Sequence, residues 1–183
     1  QALRMEDEGA DIIDIGGEST RPASIYPDAQ PVTDDDEISR VLPVIDGLAS
    51  RLNIPISIDT RKASVARAAV RTGAALVNDV SMIEDPRMIN VISDTDIPIV
   101  ISHIRKKGHQ GEVVNEVIDD LRGAVSDLRK ARVMKSKIIV DPGIGFAKNA
   151  DESIALLRNI HRLRTELELP VMIGTSRKSF IGS

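Results

Sequence analysis

The 183-residue sequence contains no cysteine and no tryptophan, and its aromatics are one tyrosine and two phenylalanines. Without cysteine, disulfide frameworks, thiolate metal sites and cysteine nucleophiles are all excluded. With so few aromatics the core must be aliphatic, which makes the positions of Tyr26, Phe146 and Phe180 informative. No apolar run approaches the ~18 residues of a membrane span. A basic excess is also missing: 24 Lys and Arg stand against 28 Asp and Glu, a formal net charge of −4. That balance argues against a general nucleic-acid binder and suits a soluble protein with no membrane partner. No secretory leader is visible, so the cytoplasm is the expected compartment, although the chain opens at Gln1 rather than Met and leaves a missing leader open.

What the sequence does have is 24 Ile and 16 Val. A core of β-branched aliphatics suits a parallel sheet covered on both faces. Short Ile/Val-rich runs at 12–15, 54–58, 76–79, 97–102, 137–141 and 171–173 read as strands. Between them, 34–52, 62–72, 86–94, 113–133 and 151–167 read as helices, and 2–8 as the end of another, stopped by Gly9. Thr33 followed by Asp34, Asp35 and Asp36 has the form of a helix start, a capping hydroxyl ahead of carboxylates in the positive first turn; a metal site is the alternative for that acidic run.

Repeated strand–helix alternation means α/β with a parallel sheet, either open and doubly wound or closed as a (β/α)8 barrel. The usual nucleotide-binding fingerprints, G-x-G-x-x-G and G-x-x-x-x-G-K-[ST], are absent. The barrel is favoured because polar groups fall at strand ends: Asp14 and the run from Gly16 to Pro22, then Asp59-Thr-Arg, Asn78-Asp79, Ser102-His103, Asp141-Pro-Gly and the run from Gly174 to Phe180. In a barrel these ends converge on the rim where barrel enzymes work. A closed barrel needs eight strands and ~250 residues. The chain therefore reads as one domain, residues 1–183, truncated at both ends, with strands 2 to 7 present and strands 1 and 8 missing. Open edges on strands 2 and 7 would make it poorly stable if expressed alone.

Five ordered segments carry a resemblance. They are 10–22 (ADIIDIGGESTRP), 55–60 (PISIDT), 77–80 (VNDV), 139–146 (IVDPGIGF) and 174–180 (GTSRKSF). Together they resemble the signatures of the dihydropteroate synthases, in that family's order. The resemblance implies a (β/α)8 TIM barrel that joins 6-hydroxymethyl-7,8-dihydropterin pyrophosphate to p-aminobenzoate, giving 7,8-dihydropteroate and pyrophosphate for folate synthesis. It also implies a cytoplasmic homodimer when full length, and Mg2+ riding on the pyrophosphate. The family's protein ligand for that ion is an asparagine on strand 1, so no metal ligand is expected in this chain.

By the same resemblance Asp59, Asn78, Asp141 and Lys178 line the pterin pocket. Residue chemistry agrees, since a carboxylate can accept parallel N–H bonds from the flat pterin edge and an amide can both donate and accept. Thr20, Arg21 and Pro22 are expected over the pyrophosphate and aminobenzoate, with Phe146 and Ser179 beside the arylamine. Asp59, Asp141, Lys178 and Arg21 carry the catalytic expectation, and Arg177 is a second cationic candidate. The alternatives are a strand-ending turn at Asp141-Pro-Gly and a solvated loop residue at Arg21. For His103, a rim contact and a structural role both stand, while His109 and His161 read as solvated. Ser102, Ile104 and Ala23 depart from the family pattern. Rival readings are a pterin-binding methyltransferase domain, a silent paralogue that binds pterin without turnover, and an aldolase using Lys178 as a Schiff base.

Overall fold

A computed structural model of the chain describes residues 1–19, 31–105, 111–176 and 178. After helix α1 (Ala2–Asp7), strands β1 (Ile13–Gly16), β2 (Ile56–Asp59), β3 (Leu76–Asp79), β4 (Ile99–Ser102) and β5 (Ile138–Asp141) follow in turn. They are linked by α2 (Asp34–Ala49), α3 (Ala63–Thr72), α4 (Arg87–Thr95) and α5 (Val113–Lys130), and α6 (Ala150–Arg158) and α7 (Ile160–Leu167) come last. All strand pairs are parallel and the order is β1-β2-β3-β4-β5 without reversal. A doubly wound sheet would reverse its order at a switch point. With right-handed crossovers throughout, a sequential order puts every helix on the same face, which is the arrangement of an arc of a (β/α)8 barrel.

The two faces of this arc are chemically distinct. Register and alternation place Ile56, Ile58, Val77, Ile99, Ile101, Ile138 and Val140 on one face, together with Ile13 and Ile15. From β2 to β5 those aliphatics join α2 to α7 in a single core cluster. The other face carries Asp14, Ser57, Asp59, Asn78, Ser102 and Asp141, with Leu76, Val100 and Ile139 among them, and none of these belongs to that cluster. The central strands β3 and β4 are buried on both faces, and the inner face is lined by polar groups toward the strand ends.

Helix starts follow the sequence chemistry. Thr33 Oγ1 accepts from the Asp36 N–H at 3.1 Å, Glu112 caps α5, and Asn149 and Glu152 close a reciprocal capping box on α6. The acidic run at 34–36 is therefore a helix start. The expected helix at 151–167 is instead two helices, because Asn159 closes α6 with its amide donating to the Ala155 carbonyl at 2.8 Å. The helix expected to reach 133 stops at Lys130, where Arg132 turns into the left-handed region (φ 68°) and Arg129 holds the Val133 carbonyl at 2.7 Å. The sixth expected strand, 171–173, is reduced to one parallel bridge, Val140 to Val171. Two backbone bonds flank it, Val140 N–H to Pro170 O at 3.0 Å and Met172 N–H to Val140 O at 2.8 Å. Among the described residues, no helix is long and apolar enough to cross a membrane.

Candidate functional site

Three adjacent strands build the first half of the site. Asp59 and Asn78 are register partners across β2 and β3, and Gly16 on β1 faces Asp59. A Cβ on Gly16 would lie 3.3 Å from Asp59 Cβ, so glycine leaves the Asp59 side chain its room. Asn78 Nδ2 donates to Asp14 Oδ2 at 2.9 Å. That leaves Asn78 Oδ1 and Asp59 Oδ1 buried without a hydrogen-bond partner among the described residues. Burial, and then the charges of Asp14, Glu37 and Asp79, push the Asp59 carboxyl up to about 7. Buried acceptors without partners are costly, and native structures keep them where something else supplies the donor.

The second half comes from β5 and the segment that follows it. Asp141 is buried opposite Ser102 and accepts from the Gly143 N–H at 2.7 Å and from Ser102 Oγ at 3.4 Å. Burial pushes its carboxyl above the ordinary range, against the opposing pull of the Gly143 N–H, Lys148, Lys178 and Ser102. Gly143 is left-handed (φ 66°), and a Cβ there would stand 1.9 Å from the His103 carbonyl oxygen. Lys178 Nζ lies over the Phe146 ring, 4.0 Å from its centroid, and its stem runs past Gly145. A cation over an aromatic face is an attractive contact, and here it sets Lys178 beside the segment that follows β5.

Asp59, Asn78 and Asp141 fall toward the carboxyl ends of β2, β3 and β5 on one sheet face, and Phe146 and Lys178 meet each other beyond the end of β5. Thr20, Arg21, Pro22, Arg177 and Ser179 lie outside the described residues, as do Tyr26, His109 and Phe180. His161 is exposed on α7. Asp79, next to Asn78, points the opposite way. Its Oδ1 accepts from the Ser81 N–H and hydroxyl, both at 2.7 Å, and from the Ile83 N–H at 3.3 Å. These bonds hold a turn in which Met82 and Ile83 both take positive φ, so Asp79 shapes the loop while Asn78 faces the site.

Sequence reasoning placed Asp14 at the rim without a partner, gave the cluster around Lys62 no role, and left His103 open between a rim contact and a structural role. Asp14 orients Asn78, and its signal was the alternation within β1, which puts it on the face of Asp59. Lys62 bonds Glu18 at 2.7 Å, Glu37 at 2.5 Å and the Val32 carbonyl at 2.7 Å, while Glu18 also accepts from Val32 N–H and Arg61. Burial pushes the Glu18 carboxyl up, but the Lys62 hydrogen bond, the Val32 N–H and Arg61 outweigh it and hold it below the usual carboxylate range. Both ends of the connection carrying Thr20 and Arg21 are tied here. His103 is fully buried, bonded to Asp120 Oδ2 at 3.0 Å and to Lys148 Nζ at 2.9 Å. Among the described residues, no group of three or more His, Asp or Glu side chains could hold a metal ion.

A family model described as pterin binding enzyme matches residues 1–183. Bacillus subtilis dihydropteroate synthase is 43% identical over 182 residues, which is 99% of this chain and 62% of the relative. Among solved structures, Xanthomonas albilineans dihydropteroate synthase with 4-aminobenzoic acid superposes with a TM-score of 0.92 at 40% identity, covering 99% of this chain and 64% of that one. The same enzyme in complex with 7,8-dihydropteroate gives 0.87 at 38% identity, with 99% and 64% covered. The chain therefore spans somewhat under two thirds of the length of these relatives.

Proposed function

Because this chain belongs to the pterin binding enzyme family, we propose that the full-length protein joins 6-hydroxymethyl-7,8-dihydropterin pyrophosphate to p-aminobenzoate, releasing pyrophosphate and forming 7,8-dihydropteroate. The observation that carries this reading is the pair of buried acceptors without partners, Asp59 Oδ1 and Asn78 Oδ1, side by side on neighbouring strands. A pterin edge offers an exocyclic amine and ring N–H groups, which are the donors this wall lacks. Asp141 adds a further carboxylate on the same face, and charge-assisted bonds of this kind contribute about 1.5–3 kcal/mol each. Relatives whose solved structures hold 4-aminobenzoic acid and 7,8-dihydropteroate lend support.

The reaction follows as a dissociative substitution. The C–O bond at the pterin methylene breaks, and pyrophosphate leaves with the electron pair. The resulting cation is delocalised into the ring, and the negative potential of Asp59 and Asp141 favours that charge. The arylamine nitrogen then forms the C–N bond and gives up a proton. An aniline-type amine is uncharged at neutral pH, so no strong general base is needed. In this reading Phe146, under the Lys178 ammonium, walls the arylamine side, and Thr20, Arg21, Pro22 and Ser179 bind the pyrophosphate and aminobenzoate. Magnesium, where present, screens pyrophosphate charge. The described residues form no cluster for it, and no step here passes through the ion.

The test is pyrophosphate release by the full-length protein supplied with both substrates. Release that requires both, together with loss of pterin binding in Asp141→Ala, is the expected result. Pterin binding without release would mark a silent paralogue, and transfer of a methyl group from a folate would mark the methyltransferase reading. The proposal extends to a homodimer in the cytoplasm, supported by the resemblance to the family. Sedimentation of the full-length protein at the monomer mass would count against the dimer.

A further inference from the structure

Lys148 follows Phe146 by two residues, yet its ammonium turns inward and is almost wholly buried. It has four acceptors around it: His103 Nδ1 at 2.9 Å, the Gly143 and Phe146 carbonyls at 3.1 Å each, and the His103 carbonyl at 3.4 Å. No carboxylate is among them. A Lys that donates to Nδ1 leaves His103 to carry its proton on Nε2, from which it donates to Asp120 Oδ2 at 3.0 Å. Asp120 is fixed in turn by Arg105, with Nε at 2.6 Å and Nη2 at 3.0 Å, and Arg105 also holds Glu116. The chain of contacts runs from α5 through the end of β4 into the segment between β5 and α6.

We propose that Lys148, seated on His103, is the positioning residue for the arylamine wall: by gathering the Gly143 and Phe146 carbonyls it fixes the Phe146 ring beneath Lys178. This rests on the reaction proposed above, because it assigns that wall to p-aminobenzoate. Three observations support it. The carbonyls gathered bracket the turn that carries Phe146, whose ring lies under Lys178, while the bond from the Gly143 N–H to Asp141 does not involve Lys148. The contact is tight, because the Cβ position of Gly143 lies 3.3 Å from Lys148 Nζ as well as against the His103 carbonyl. Burial is also unfavourable for an ammonium. It draws Lys148 down to about 8, against the favourable charges of Asp141, Glu152 and Asp120 and with Arg105 adding to the fall. A lysine that only filled space would have its head in water.

The test uses full-length protein and separates the two substrates. Lys148→Met, similar in length but without donors, should raise the KM for p-aminobenzoate about tenfold while kcat and the Kd for the pterin pyrophosphate stay within about threefold. Amide exchange at Phe146, read without any substrate, should accelerate about tenfold in the same variant. His103→Leu should move both readouts in the same direction. His103→Asn, whose amide oxygen can take the place of Nδ1, should restore them, and this pair carries the test if Lys148→Met does not fold. An unchanged arylamine KM, or equal losses for both substrates, would overturn the proposal. If the wild type releases no pyrophosphate, the reaction reading fails by itself. The exchange data then decide whether Lys148 holds the segment, and unchanged exchange refutes it.

Discussion

Asp14 Oδ2 accepts the hydrogen bond of Asn78 Nδ2 at 2.9 Å, so a carboxylate on β1 decides how an amide on β3 is turned. An ionised carboxylate can only accept, which forces the NH2 toward Asp14 and leaves Oδ1 facing the site. Asp14 is exposed on its strand, so its removal should not unsettle the core. Asp14→Ala is expected to weaken pterin binding about tenfold, about 1.4 kcal/mol, with an unchanged denaturation midpoint. Calorimetric titration alongside urea unfolding checks both halves, and an unaltered affinity would remove Asp14 from the site.

Asn78 and Asp79 are adjacent but face opposite ways, and their variants should separate accordingly. Asn78→Ala is expected to lose pterin affinity with little change in stability. Asp79→Ala strips three hydrogen bonds from a turn holding two positive-φ residues, and is expected to cost about 2–3 kcal/mol of stability. Similar phenotypes for the two would contradict the assignment of faces.

Asp59 makes the protein sensitive to pH in two opposed ways. Its carboxyl is raised to about 7 from an ordinary 3.8, so the folded state holds a proton that the unfolded chain releases. The stability contributed by that proton is present at low pH and is lost as pH rises from about 4 to about 7. The loss amounts to up to about 4 kcal/mol. Pterin binding needs the ionised form to accept N–H bonds, so affinity should rise about tenfold between pH 6 and pH 8. Asp59→Asn should flatten both curves, stabilising the fold at pH 8 while weakening the ligand. Profiles that keep their slopes in the variant would place the titration elsewhere.

Gly143 should tolerate no side chain. Its φ of 66° and the 1.9 Å approach of the His103 carbonyl mean that even alanine must displace the backbone. Gly143→Ala is expected to lose Asp141-dependent pterin binding and to lower stability by more than about 3 kcal/mol. Gly123→Ala, on an open helix face with nothing within 4 Å of the added carbon, is the control and should be neutral or slightly stabilising.

The strand ends were legible because chemistry and periodicity coincide there. Asp59, Asn78 and Asp141 each close a short Ile/Val run, and the structure sets all three on one face. The sequence could not reveal that faces alternate so strictly in character, because Ile and Val dominate the runs and the inward Ser57 and Ser102 look incidental. The break at Asn159 was hidden because the apolar spacing continues through it, while the amide that ends α6 acts by a local bond. His103 and Lys148 stand 45 residues apart, and only the packing of α5 and the β5–α6 connection against the end of β4 makes them neighbours. Asp14 was in plain view in the first motif, but its partner lies two strands away.

Odd and even positions within each strand therefore answer to separate demands, one set to the helical layer and the other to the ligand. Exchange of one branched aliphatic for another under the helices should leave recognition untouched. Losing one amino acid from the middle of a strand would swap the two assignments from there to its end, turning carboxylates toward oil and isoleucines toward the heterocycle. Length changes in this lineage should accordingly be confined to the connections between strands.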